Sequence, residues 1–391
     1  MNDIDTDFFV AIAHSEDPET NFAMEEIIDT LKKKLNGRTP KACIVFSGVN
    51  MEHKLILDSI NSEWHNIKLI GCTSEGELSS DLGFAEGSIS VIMFDSDSVD
   101  FSVGLGRNNM GDLEGACKNA VSEVLNKSDK VPCLCITTPD CLLLSGDKLI
   151  RLLKKELGQG IPVFGGAATD GFKFTTTYQF FGTEVYTNSI PILLFSGPLS
   201  FSYGVRTGTT AIGRSGKVTR SENKIVHEID NKPAIEFYRS IMGDNIIPSF
   251  ENPLTILDNQ GCPLYLRTAV GLPNTETGEV TIYSDISVAS EIKISVADRD
   301  SLLEGSKDSV RTALERFPKD KEVKLAFFFT CAGRKYLLGT RTKEEIELAK
   351  TVLTPGTQIF GSYGYGEIAP LESNIEEIHL NDGTFVTLLI G

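Results

Sequence analysis

Arg334, Glu77 and Glu367 are the residues of this sequence best suited to hold a small polar molecule. Each sits next to a glycine-rich turn that follows an apolar, strand-like run. A guanidinium can clamp a carboxylate through two parallel hydrogen bonds. The two glutamates could accept hydrogen bonds from an amine, so the three together have the donors and acceptors that an amino acid requires. The competing reading is an internal one, in which Arg334 pairs with Glu367 and ties two strand ends together. Both readings stand at this point. The turn glycines Gly71, Gly76, Gly165, Gly166, Gly361, Gly364 and Gly366 can offer main-chain N–H groups to an anionic group. Ligands of α/β folds sit at such strand ends. The plainer alternative is that these glycines make tight turns and close packing. Tyr363 and Tyr365, two apart, are expected on one side of an extended segment, where their rings would stack on a ligand or pack at a rim.

Cys72 and Cys331 lie beside the same turns, where a nucleophile could be exposed. No histidine falls within a turn motif, so a base for thiol catalysis is missing and no catalytic residue is assigned. The eight cysteines are scattered, without a CxxC pair, and the five histidines form no cluster. Buried thiols acting as small apolar side chains are expected, with no metal and no cofactor. Cys133 and Cys135 alternate along a strand and would share one face.

The elements that position these residues recur. Ala42–Ser47 reads as a buried strand and a helical stripe follows at Leu55, Ile56, Ile60 and Trp64. The strand Lys68–Ile70 then runs into Gly71-Cys72-Thr73-Ser74-Glu75-Gly76-Glu77-Leu78, and Gly87–Phe94 closes the unit. Near the C-terminus the order repeats. Leu325–Thr330 leads to Cys331-Ala332-Gly333-Arg334, then a helix stopped at Pro355-Gly356. Gln358–Phe360 follows with Gly361-Ser362-Tyr363-Gly364-Tyr365-Gly366-Glu367-Ile368, and Gly383–Ile390 ends the unit. A weaker copy lies between, with Phe164-Gly165-Gly166-Ala167-Ala168-Thr169-Asp170-Gly171 in the turn position and its acid one place early. Further helical stripes surround Leu113–Val124, Ile235–Ile241 and Val310–Phe317. Tyr178–Tyr186 and Val280–Val296 alternate as antiparallel strands. The expectation is an α/β fold of mixed sheets with helices on the outer faces. Two related modules would carry internal repeats of a strand-helix-strand-strand unit. An N-terminal extension would occupy residues 1–34, with the modules at 35–220 and 221–391.

At these turns the sequence resembles the FIST family of paired FIST N-terminal and FIST C-terminal domains. Gly71–Glu77, Phe164–Asp170, Cys331–Arg334 and Gly364–Pro370 carry the resemblance, in the family's order, and it covers roughly residues 35 to 391. It implies an intracellular sensory, signal-transducing module that binds a small ligand such as an amino acid or small carboxylate. The residues expected at the ligand are Gly71, Cys72, Thr73, Glu77, Gly165, Gly166, Asp170, Cys331, Arg334, Tyr365, Gly366 and Glu367. The sequence carries no kinase, methyl-accepting, cyclase or F-box segment, so a separate kinase or chemoreceptor-type protein is the expected partner.

Composition narrows the class. The hydrophobic share of 41% and charged share of 23% fit a globular protein. With 37 Lys+Arg against 54 Asp+Glu, the formal charge of −17 opposes binding to nucleic acid or anionic lipid. No apolar run approaches the roughly 20 residues of a membrane span, and the acidic start lacks the features of a signal peptide. A cytoplasmic location is expected. The alternatives to a sensor are a thiol-dependent enzyme acting on a small carbonyl compound and an acidic interaction scaffold.

Overall fold

The computed structural model describes residues 7–108, 111–125 and 127–391, and within them the chain folds as three units of one strand order. The first unit contains β1 (Phe9–Ser15), α1 (Thr20–Leu35), β2 (Ala42–Gly48), α2 (His53–Glu63) and β3 (Lys68–Ser74). The hairpin β4 (Glu77–Ser79) and β5 (Gly83–Ala85) and the strand β6 (Ile89–Asp95) complete it. The second has β7 (Asp100–Arg107), α3 (Leu113–Ser122), β8 (Pro132–Thr137), α4 (Gly146–Leu157) and β9 (Val163–Gly166). Its hairpin is β10 (Gln179–Phe181) and β11 (Glu184–Tyr186), and its last strand β12 (Ser189–Ser196).

The third unit opens with β13 (Phe201–Arg206) and is interrupted by a separate sheet. That insertion comprises β14 (Thr210–Glu222), β15 (Ile225–Ile229), β16 (Lys232–Pro233), α5 (Ala234–Met242) and β17 (Leu254–Leu257). It ends with β18 (Pro263–Arg267), β19 (Val280–Thr281) and β20 (Glu291–Val296). The unit resumes with α6 (Arg299–Arg316), β21 (Leu325–Cys331), α7 (Ala332–Leu338), α8 (Thr342–Lys350) and β22 (Gln358–Gly364). The hairpin β23 (Glu367–Leu371) and β24 (Asn374–Asn381) and the strand β25 (Phe385–Ile390) finish it.

Each unit contributes four strands to one sheet and lends its hairpin to another. The sheets run β1-β6-β2-β3-β10-β11, β7-β12-β8-β9-β23-β24 and β13-β25-β21-β22-β4-β5. The first unit's hairpin thus joins the third sheet, the second's joins the first, and the third's joins the second. In each of these three sheets the central pair (β2 with β3, β8 with β9, β21 with β22) is parallel. Alternating side chains serve two cores, as sheets covered on both faces require. Ile44, Phe46, Phe94, Leu134, Ile136, Phe195, Phe327 and Phe329 point into one core shared by all three sheets. Their neighbours Cys43, Val45, Cys135, Ala326 and Phe328 point outward, beneath the helices. Phe46 stacks on Phe360 at 5.3 Å and Phe94 meets Phe195 edge-on at 5.5 Å, so aromatic contacts cross between units. None of the described helices is long and apolar enough to cross a membrane.

Several sequence expectations change here. Residues 9–34, expected within an extension, supply the edge strand of the first sheet and nearly all of its first helix; β1 pairs with β6 along seven residues. Residues 1–6 of that segment lie outside the described residues. The boundary expected at 220/221 falls inside β14, because the inserted sheet begins with that strand. Cys133 and Cys135 do not share a face. The register slips between Phe195 and Ser196, leaving Cys133 unmatched on the inner side while Cys135 packs outward. Val280–Val296 forms two short strands separated by a loop rather than one alternating run.

Candidate functional site

The three turns meet and lock together. Counting the strand glycines Gly71, Gly165 and Gly361 as first, the N–H of each turn's fifth residue donates to the carbonyl of another turn's third. Glu75 donates to Tyr363 (2.9 Å), Tyr365 to Ala167 (3.0 Å) and Thr169 to Thr73 (3.0 Å), which closes a cyclic set of main-chain bonds. Two further bonds, Tyr363 to the carbonyl of Gly76 and Ala167 to that of Gly366, reinforce two of the joints. At the third joint the Thr73 N–H reaches Tyr178 instead, because the second turn leads into a loop over residues 171–178 before β10. That loop is the physical reason the acid of the middle copy falls out of step.

The first-position glycines are required by packing. A Cβ would lie 2.1 Å from the Val45 carbonyl at Gly71, 1.9 Å from Thr137 at Gly165 and 2.1 Å from Phe328 at Gly361. Each is paired with that residue on the adjacent parallel strand. These positions serve close strand approach and do not face a ligand.

A narrow cleft opens beside this ring of turns, with a free volume of about 20 Å³, room for a molecule the size of water. Its floor is Cys331, Ala332 and Gly333 together with Gly364, Tyr365 and Gly366; Phe172 and Phe174 of the loop form one wall. Phe250, Thr268 and Tyr283 of the insertion and Asp382 form the other. Phe174 stacks on Tyr365 at 4.9 Å, and Phe172 and Tyr283 approach the same ring at 5.8 and 6.3 Å. Both loop phenylalanines take left-handed backbone, φ 57° at Phe172 and 52° at Phe174. That conformation costs an L-residue about 1–2 kcal/mol each. Asp170 offsets this by accepting from the N–H groups of Phe174 (2.9 Å), Thr175 (2.6 Å) and Thr176 (3.0 Å). Burial raises the Asp170 carboxyl, yet the Thr175 and Thr176 N–H groups and the Tyr365 hydroxyl outweigh it and hold the group below its ordinary value.

The Tyr365 hydroxyl gathers the three turns. It donates to Asp170 at 2.9 Å and lies 3.5 Å from Glu75, and the Phe172 N–H donates to it at 2.6 Å. Glu75 in turn accepts from the Gly171 N–H at 2.7 Å, and the Lys335 ammonium bonds the Glu75 carbonyl at 2.6 Å.

Other expected residues lie away from the cleft. Arg334 is 1% exposed and its partner is Glu345, not Glu367: Nε and Nη2 bind one Glu345 oxygen at 3.0 and 2.7 Å. Its remaining donors reach the carbonyls of Thr207, Leu302 and Gly383. Placed in the first turn of α7, the guanidinium reaches α6 and α8 and the chain just beyond β13 and before β25, so it ties helices and strand ends together without Glu367. Glu77 is fully buried and takes hydrogen bonds from the Ser74 and Ser88 hydroxyls. Burial pushes its carboxyl up to about 7 against those bonds. Ser88 also bonds His14 Nε2 at 2.8 Å, and His14 Nδ1 reaches Ser79 at 2.8 Å. Cys72 packs in the shared inner core, where burial raises its thiol strongly. Thr73 bonds the Thr169 carbonyl, and Gly166 pairs with Glu367 across two strands. Tyr363 turns away from Tyr365 into the layer beneath α8, with its hydroxyl on Glu345.

Of the twelve expected residues, Cys331, Tyr365 and Gly366 line the cleft, with Asp170 shaping its wall. Glu367 sits behind Cys331: one oxygen accepts from Thr384 N–H (3.0 Å) and hydroxyl (2.6 Å), and the other has no partner among the described residues. Burial raises both Glu367 and the Cys331 thiol above their ordinary values. Sequence reading missed Phe172, Phe174, Phe250, Thr268, Tyr283 and Asp382. Gly171-Phe172-Lys173-Phe174, an aromatic pair after a turn motif, was the only legible signal; Phe250, Thr268 and Tyr283 come from the insertion and Asp382 from the turn before β25. A larger open groove of about 400 Å³ near Arg206, Cys262 and Glu372 is lined by none of the twelve expected residues.

The comparisons with known proteins agree with the turns. The FIST N domain model matches residues 41–232 and the FIST C domain model residues 234–370. An uncharacterized protein of Methanocaldococcus jannaschii is 24% identical over 317 residues, spanning 74% of this chain. The match covers 59% of that relative's own length. A crystal structure of cyanuric acid hydrolase from A. caulinodans aligns over 98% of this chain and 99% of its own, at 9% identity. Its TM-score of 0.38 is too loose to bear on fold or function. With both domain models matched in order across nearly the whole chain, the protein belongs to the FIST family of sensory, signal-transducing domains.

Proposed function

We propose that this protein is a small-molecule sensor whose ligand enters the cleft between the interlocked turns and the inserted sheet. The observation that carries the reading is the convergence at Tyr365. Its ring is the cleft floor, and its hydroxyl holds the strained loop through Asp170 and the Phe172 N–H. A ligand pressing on that ring acts on all three units at once, since the turns share one set of main-chain bonds. Occupancy would then be read out as a change in the 171–176 loop, which a separate signalling protein of the kinase or chemoreceptor type recognises inside the cell. An amino acid is a fitting ligand, with its ammonium toward Asp382. A ligand defined by its carboxylate alone is less well served, because no Lys or Arg lines the cleft and Arg334 is spent on Glu345. The site is one of binding rather than covalent catalysis, since burial and the nearby Glu367 both disfavour the Cys331 thiolate.

The test is thermal stabilisation of the full chain by a panel of amino acids, amines, carboxylates and nucleotides. A ligand at a hundred times its Kd adds about 2.7 kcal/mol. At about 2.1 cal/mol/K per residue, 391 residues convert this to a rise of about 3 °C for a single cooperative transition. Tyr365→Ala removes the floor of the cleft and is expected to abolish the shift. A panel that stabilises nothing, or a shift that survives Tyr365→Ala, refutes the proposal.

A further inference from the structure

We infer that the cleft selects a flat aromatic body carrying a protonated amine, and that the ligand's carboxylate, where it has one, contributes nothing to recognition. This rests on the sensor reading above and narrows it to a chemical class.

Five rings border the cleft, at Phe172, Phe174, Phe250, Tyr283 and Tyr365. Such a wall favours a planar apolar body, and the faces of its rings attract cations. The polar groups are mostly acceptors of one sign. Asp382 lines the cleft and takes one hydrogen bond on each oxygen, from Ser284 (2.6 Å) and the Thr268 N–H (2.9 Å). Each carboxylate oxygen has a second lone pair to offer a ligand donor. The Tyr283 hydroxyl is buried and has no partner among the described residues, although Tyr283 borders the cleft. The carboxyls of Asp382 and Asp140 face Tyr283, and the Cys141 and Cys331 thiols beside it are kept neutral by burial. Behind them one oxygen of Glu367 and one of Asp140 are also without partners. The nearest cation to that ring, Lys224, lies over the Tyr283 face at 5.1 Å and outside the cleft lining. A carboxylate entering here meets other carboxyls and ring faces, whereas an ammonium meets hydrogen-bond acceptors, chiefly the Asp382 carboxyl, which burial raises above its ordinary value.

The cleft is narrow, so a ligand ring enters by displacing Phe174 from its stack on Tyr365. Phe174 is suited to this: it is 41% exposed and sits on a loop in left-handed backbone. The incoming ring restores the stack that Phe174 gives up.

The experiment is calorimetric titration of the full chain at neutral pH with 2-phenylethylamine, 3-phenylpropionate, L-phenylalanine and n-butylamine. It is repeated on Asp382→Asn and Phe174→Ala after their melting temperatures have been checked. 2-Phenylethylamine is expected to bind saturably and at least as tightly as L-phenylalanine, with 3-phenylpropionate silent and n-butylamine much weaker. Asp382→Asn is expected to weaken the aromatic amine by about tenfold or more, the scale of a lost charged hydrogen bond. Because Asp382 also anchors Thr268 and Ser284, Phe174→Ala supplies a second readout at an exposed position, expected to change the amine affinity severalfold. Binding of 3-phenylpropionate without the amine overturns the chemical class and leaves the sensor reading standing. So does stabilisation by some other class of compound while all aromatic amines fail. Amine binding untouched by both variants places it elsewhere and also overturns the inference. A panel in which nothing stabilises the protein removes the sensor reading itself.

Discussion

Replacing Arg334 with Ala separates a structural guanidinium from a ligand clamp. The side chain is 1% exposed and makes an ion pair at 2.7 Å with Glu345, itself fully buried, besides bonding three main-chain carbonyls. Removal leaves the Glu345 carboxylate in the interior with the hydroxyls of Tyr363 and Thr330 alone. Breaking one side of a buried pair costs about 3–5 kcal/mol, most of it the uncompensated charge. With about 2.1 cal/mol/K per residue over 391 residues, the unfolding entropy is about 0.8 kcal/mol/K. The melting temperature should therefore fall by about 4–6 °C in differential scanning calorimetry if unfolding is one cooperative step. Arg334→Lys should fall between, because one ammonium cannot reach Glu345 and three carbonyls together. The double variant Arg334→Met with Glu345→Gln should recover part of the loss, since no lone charge then remains. Ligand affinity, measured on the folded fraction, should not change. A melting temperature within about 1 °C of the parent, or lost ligand binding at unchanged stability, would refute this placement of Arg334.

Tyr365→Phe removes the hydroxyl that joins Asp170 to the Phe172 N–H and should cost about 1–2 kcal/mol. Hydrogen exchange should quicken at the amides of residues 172–176, and unchanged protection there would count against the hydroxyl as the loop's anchor. Gly361→Ala forces a Cβ to 2.1 Å from the Phe328 carbonyl and should destabilise by more than the ordinary 1–3 kcal/mol of overpacking; a soluble variant melting like the parent would contradict the strand spacing. Glu77, with its folded pKa pushed up to about 7, binds more protons folded than unfolded between its ordinary value of 4.5 and 7. Its contribution is thus full below pH 4.5 and is lost as pH rises toward 7. His14, lowered to about 4 by burial, acts in the opposite sense, losing stability as pH falls from 6.5 to 4. Urea unfolding across pH 4.5–7.5 should show Glu77→Gln gaining on the parent as pH rises, and parallel curves for the two proteins would show that Glu77 titrates normally.

The repeating order of strand, helix, strand and turn was legible because each unit buries its strands on both faces and so writes short apolar runs between helical stripes. Val45, Cys135 and Phe328 look like core residues in one dimension and are core residues in three. The glycines at 71, 165 and 361 were equally visible, but their purpose was not. Sequence shows a glycine where a strand ends; only the register reveals that a neighbour's carbonyl occupies the space of a Cβ. The exchange of hairpins between units was invisible for a related reason. Glu77–Ala85 has the same local pattern whichever sheet it joins, and its pairing with β22, about 280 residues distant, is a tertiary choice.

The site divides along the same line. The motif residues that lie at the cleft, Cys331, Tyr365 and Gly366, were named from the turn pattern, since local backbone requirements are written locally. Arg334 was assigned a partner from the neighbouring motif, whereas the fold gave it Glu345, eleven residues onward, because α7 directs the side chain toward α8 and away from the turn. The aromatic and acidic walls come from Phe172, Phe250, Tyr283 and Asp382, which no spacing connects. Local sequence decides which segments become strands, helices and tight turns; long-range packing decides which segments become neighbours, and the chemistry of a cleft is a property of neighbours.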